Sequence, residues 1–161
     1  MIQENHPKAT IFAGWLCYQL DQSEQALSYF AKAESMFPTN SELTYLIARC
    51  HLKLKQHTTA YDCLHKCLTT ESSNDVYWSS LGILFAELNQ LKQSYDCLTN
   101  AVKFNPTGAD HYYNLGCLFE LSTQTKDAIK MYEKAIELQP NFTQAINNAR
   151  RLSIQPDLKV E

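Results

Sequence analysis

The sequence predicts an all-α array of four stacked helical hairpins closed by a capping helix, and three observations carry that prediction. Four stretches beginning at Pro7, Ser41, Asp75 and Ala109 align without a gap, 34 residues apart. Within each, apolar residues recur at helical spacing over two segments of about fourteen residues, joined by short polar turns. Small side chains return at fixed places, with Gly14, Ala48, Gly82 and Gly116 at the eighth position and Ala26, Ala60, Ser94 and Ala128 at the twentieth. A period of this length marks a supersecondary unit that cannot bury its apolar face alone and is completed by its neighbours.

Taken in order, residues 1–6 form an N-terminal extension and the four units span 7–40, 41–74, 75–108 and 109–142. In the third, one helix runs near Asp75 to Leu88 and its partner near Leu91 to Phe104. Trp78, Leu81, Gly82 and Phe85 share one face of the first helix, which must meet Leu98 and Ala101 of the second. In the other units Cys17, His51 and Phe119, with Phe30, Leu64 and Tyr132, supply knobs for the holes that the small residues leave. Pro38, Pro106 and Pro140 end second helices, because proline lacks the N–H that would continue the ladder.

The two ends differ. A capping helix is expected over 143–153, with Ile146, Ala149 and Leu152 packed on the last hairpin and Gln144, Asn147, Asn148, Arg150 and Arg151 in water, followed by a tail over 154–161. At the other end Leu16 stands where later units place Cys50, Leu84 and Leu118 against the preceding hairpin. That apolar edge predicts earlier repeats or self-association through the N-terminal edge, unless Met1 to His6 folds over it.

Composition excludes several classes. The net charge of −3, the pI near 5.9 and the absence of a basic stripe argue against direct nucleic-acid binding. No run approaches a membrane span and the first residues lack a secretory pattern, so a cytosolic or nuclear protein is expected. In such a setting the six cysteines read as small hydrophobes in a reducing compartment, and Asn141 of the Asn-Phe-Thr sequon stays unmodified. A metal site at Cys63, His65 and Cys67 is disfavoured because the middle residue points away from the other two on a helix. With no phosphate loop, HExxH or GxSxG present, neither an enzyme nor a cofactor is expected.

Trp78, Leu81, Gly82, Phe85, Leu98, Ala101 and Pro106 resemble the tetratricopeptide repeat consensus, and Tyr112, Leu115, Gly116, Phe119, Ala128, Tyr132, Ala135 and Pro140 repeat it. The resemblance covers Pro7 to Phe142, with departures at Thr10, Thr44 and His51. It implies a right-handed superhelical solenoid whose first helices line a concave groove. On those helices the fifth, ninth and twelfth positions lie beside the core stripe. They name Ile11, Trp15 and Tyr18, then Tyr45, Arg49 and Leu52, with Ile83 and Tyr113 from the later units, as the partner-binding groove. Exposed Trp, Tyr and Arg are the residue types that dominate interface energies, so the expected occupant is an apolar or amphipathic protein segment. The lysine and asparagine set with which co-chaperones of this family grip a terminal carboxylate is absent, since the places are held by Ile11, Trp15, Ser80, Asp110 and Asn114.

The strings Trp78 to Phe85 and Leu115 to Glu120 also resemble the last repeats of the tetratricopeptide subunit of the eukaryotic general transcriptional co-repressor, and the related region of an X-linked histone demethylase, whose iron-binding domain does not follow here. That resemblance implies a nuclear adaptor joining DNA-binding repressors to a WD-repeat co-repressor. The alternative is a structural subunit of a large assembly such as the anaphase-promoting complex.

Overall fold

A computed structural model describes residues 7–37 and 39–154 of the chain. The expected extension over 1–6, Pro38 and the tail beyond Ile154 lie outside the described residues. Regular structure among the described residues is helical: α1 (Pro7–Gln19), α2 (Ser23–Glu34), α3 (Ser41–Lys53), α4 (His57–Thr70), α5 (Asp75–Glu87), α6 (Leu91–Phe104), α7 (Ala109–Leu121), α8 (Thr125–Leu138) and α9 (Thr143–Ile154). The helices fall into two compact units that divide after Ser73. Each pairs successive helices into antiparallel hairpins, α1 with α2 and α3 with α4 in the first, α5 with α6 and α7 with α8 in the second.

Every first helix ends in the same turn. Asp21, Lys55, Asn89 and Thr123 take left-handed φ values of 62°, 57°, 57° and 59°. In each case the next residue, a glutamine, donates its N–H five residues back, to Cys17, His51, Phe85 or Phe119. The left-handed residue donates three back, to Tyr18, Leu52, Ala86 or Glu120. This paired closure satisfies carbonyls that the helix end would leave open. Asparagine and aspartate enter the left-handed region readily, whereas threonine is β-branched and strained there. Between hairpins, Asn40 accepts from the Leu43 N–H at 2.9 Å and Asn74 from the Val76 N–H at 3.1 Å, so side-chain caps start α3 and α5.

Packing within a hairpin depends on the small eighth position. A Cβ at Gly82 would lie 2.7 Å from Cγ of Leu98, and Cβ atoms at Gly14 and Gly116 would collide with the rings of Phe30 and Tyr132. Phe30, Leu64, Leu98 and Tyr132 are accordingly among the largest fully buried side chains. In the third hairpin the contact is also polar: buried Ser94 donates its hydroxyl to the Gly82 carbonyl at 2.8 Å.

The cap departs from expectation in which residues hold it. Ala145 and Leu152 carry the burial, whereas Ile146 and Ala149 are half-buried. Arg151 is exposed, as expected, and also pairs with Glu120 of α7, whose other carboxylate oxygen accepts the Tyr132 hydroxyl at 3.0 Å. The reason is that the period continues: Leu152 falls at the tenth position, like Cys50 and Leu118, so α9 docks on α8 as one more first helix. Arg150 then occupies the eighth position, where a following second helix would need glycine or alanine. At the opposite end Leu16, at the tenth position of α1, is 42% exposed.

Two substitutions test this register. Gly82→Leu should overpack the third hairpin and lower stability by about 1–3 kcal/mol, read as a fall in melting temperature; unchanged melting would contradict the assigned contact. Thr123→Gly should relieve the left-handed strain and raise stability by about 0.5–1 kcal/mol, read in the same thermal scan.

Candidate functional site

Helices α1 and α3 of the first unit present the same four positions toward one cleft. From α1 come Lys8, Ile11, Phe12 and Trp15, and from α3 come Glu42, Tyr45, Leu46 and Arg49. Residues separated by three, four and seven positions share a helix face, so two in-register helices build a single trough of about 520 Å³. The stripe brings together four of the expected groove residues, Ile11, Trp15, Tyr45 and Arg49. It adds Lys8, Phe12, Glu42 and Leu46, which the same spacing, extended to the second and sixth positions, would have named.

The trough is apolar along its length and charged at its ends. Trp15 and Phe12 stack with ring centroids 5.9 Å apart. The Arg49 guanidinium lies 4.6 Å from the Tyr18 ring centroid and 5.9 Å from that of Tyr45, within the reach of cation–π attraction. Lys53 covers the Tyr18 ring at 4.1 Å and is paired with Asp21 at 2.9 Å.

This cover corrects the reading of Tyr18 as a groove residue. The side chain is 9% exposed and belongs to the core of the first unit, where it supports Arg49 from beneath. Leu52 is half-buried and does not line the trough. Ile83 and Tyr113 lie in the second unit, and Tyr113 packs into an aromatic cluster, 5.6 Å from Tyr132 and 5.0 Å from Phe142. Burial pushes its hydroxyl pKa up. The cap helix supplies part of this cover, since Tyr113 packs against the cluster that holds Ala145 and Leu152 of α9.

The corresponding seam of the second unit is bridged by polar bonds. Asn114 Nδ2 on α7 donates to Ser79 Oγ on α5 at 3.0 Å. His111, buried on α7, places Nε2 2.7 Å from Asp75 Oδ2, and Asn105 Nδ2 reaches the same oxygen at 2.9 Å. Burial raises the Asp75 pKa, but the hydrogen bonds from Asn105 and His111 outweigh it and hold the carboxyl below its ordinary 3.8. The ionised carboxylate therefore stabilises the fold fully above the ordinary value, and that contribution disappears as pH falls through the lowered folded pKa. Asp75→Ala should cost about 1–3 kcal/mol at neutral pH. The gap in melting temperature between the two proteins should then close as pH drops below about 4.

Cysteine chemistry is muted. Cys50, Cys67 and Cys97 are buried, and burial pushes each thiol up to about 11. Cys63 is half-buried against the core, while His65 is exposed and lies beside the Tyr61 ring at 5.9 Å, so the trio weighed for metal is spread over different faces of α4.

Paired helices repeating at a constant period, with a trough on their first helices, define a helical-repeat protein. Family models described as tetratricopeptide repeat match residues 18–81 and 109–142, and the chain belongs to that family. It is 31% identical over 77 residues to the general transcriptional corepressor ssn6 of Schizosaccharomyces pombe, a match that covers 45% of this chain and 7% of that protein. A thermophilic tetratricopeptide repeat protein of Thermus thermophilus superposes with a TM-score of 0.85 at 19% identity, covering 94% of this chain and 84% of that one. The first tetratricopeptide domain of Spaghetti, solved with an HSP90 peptide, gives 0.67 at 21% identity over 73% of this chain and 94% of that one. At these identities the structural matches show the fold alone.

Proposed function

We propose that this chain is a protein–protein adaptor that holds a segment of its partner in the trough between α1 and α3, and that the assembly it serves is a nuclear transcriptional co-repressor. The trough carries the first part. Trp15, Tyr45 and Arg49 stand on two rigid helices, so they lose little side-chain freedom when a partner arrives, and they are the residue types that anchor interfaces. The similarity to the Schizosaccharomyces pombe corepressor supports the second part. In that role the partners are DNA-binding repressors on one side and a WD-repeat co-repressor on the other, and several weak contacts along one array give useful avidity.

A tethering assay tests both parts together. The chain fused to a DNA-binding domain should lower expression of a reporter bearing the matching site. Tyr45→Ala combined with Arg49→Ala should restore expression by about tenfold or more while far-UV circular dichroism stays unchanged. Repression that survives the double substitution would remove the trough from the mechanism, and a fusion without effect on the reporter would remove the co-repressor role.

A further inference from the structure

We propose that the trough selects partner segments in which an aspartate or glutamate side chain lies one helical turn from a large apolar side chain. The proposal rests on reading the trough as the partner site, and it adds the chemistry of the partner.

Charge complementarity carries it. At the end formed by the first turns of α1 and α3, Lys8 and Glu42 hold matching positions, so that end carries one charge of each sign. At the other end Arg49 stands opposite Trp15, and among the described residues no carboxylate lies within ion-pair distance of it. The nearby Lys53 differs in that Asp21 already neutralises it. Ring faces orient a guanidinium and partly desolvate it, but they supply no counter-charge. A half-buried cation so placed gains most from an anion, and the planar fork of arginine donates to two carboxylate oxygens at once.

Spacing supplies the second half of the motif. Tyr45 precedes Arg49 by four residues on α3, as Ile11 precedes Trp15 on α1, which separates the apolar floor from the cation by about 6 Å along the trough. A ligand that satisfies both has its acid and its leucine or aromatic side chain three or four residues apart on a helix. The proposal commits to a side-chain anion of an internal segment, because a single cation faces the apolar floor and the spacing to that floor matches one turn of a continuous helix.

Random peptides displayed with flanking sequence at both ends, so that no free carboxyl terminus is present, should be selected on the immobilised full chain. Enriched sequences should pair an acid with Leu, Phe or Trp at that spacing. Replacing the acid by its amide in a synthetic copy should weaken binding by about tenfold, and added salt should weaken the acidic peptide more than the amide. Arg49→Gln should reproduce the loss, Arg49→Lys should retain the salt dependence, and selection on Arg49→Glu should turn toward lysine and arginine, each variant showing wild-type helicity. Enrichment of apolar sequences without an acid, or equal binding of acid and amide, would overturn the charge selection while leaving the trough as the site. Enriched peptides that bind Trp15→Ala and Tyr45→Ala as well as wild type would overturn the trough itself, as would a selection that enriches nothing.

Discussion

The close approach of two helices at a residue too small to hold them apart is the constraint on which the rest of this molecule depends. At Gly14, Gly82 and Gly116 there is no room for a Cβ, because the facing side chain of Phe30, Leu98 or Tyr132 occupies that space. In the second hairpin the eighth position is Ala48 and the twenty-fourth Leu64, and both are fully buried. Large-into-small packing of this kind fixes the axial register of a hairpin as well as its separation, since sliding either helix by a residue would drive a ring into backbone. Once that register is set in both hairpins of the first unit, the same numbered positions of α1 and α3 face the same way and offer matching stripes to one trough.

What each unit does with its first helices depends on chemistry at a few positions. On α1 and α3 these positions hold Ile11, Phe12, Trp15, Tyr45, Leu46 and Arg49, and the result is an apolar trough ending in a cation propped on Tyr18. On α5 and α7 the Ser79–Asn114 and Asp75–His111 bridges join one helix to the next. Buried polar links of this sort are costly to leave half-made and so favour one arrangement. The one seam is thereby left open to a ligand, and the other is committed to holding the fold.

Much of this was legible in the sequence because periodicity reports which face of a helix a residue occupies. The starts of α1, α3, α5 and α7 and the small eighth position follow from spacing alone, whereas the docking of α9 as a further first helix shows in the burial of Ala145 and Leu152. Spacing cannot report what stands opposite. Tyr18 occupies the expected face, yet Arg49 and Lys53 cover it. Tyr113 does so as well, and is taken by Tyr132, Phe142 and the cap helix. Arg151 reads as a solvating residue until Glu120, thirty-one positions earlier, is seen to face it. The recurring left-handed turn carried little signal, because lysine and threonine fill it in two hairpins where glycine or asparagine would announce it.

Whether a partner polypeptide is held in the trough can be read from amide shifts of the isotope-labelled chain titrated with a selected acidic peptide. Perturbations should concentrate on Ile11, Phe12, Trp15, Tyr45, Leu46 and Arg49, with the Trp15 indole N–H among the largest. Perturbations confined to α5 to α9, or spread along the exposed faces of α2 and α4 with α1 and α3 unmoved, would contradict binding in the trough.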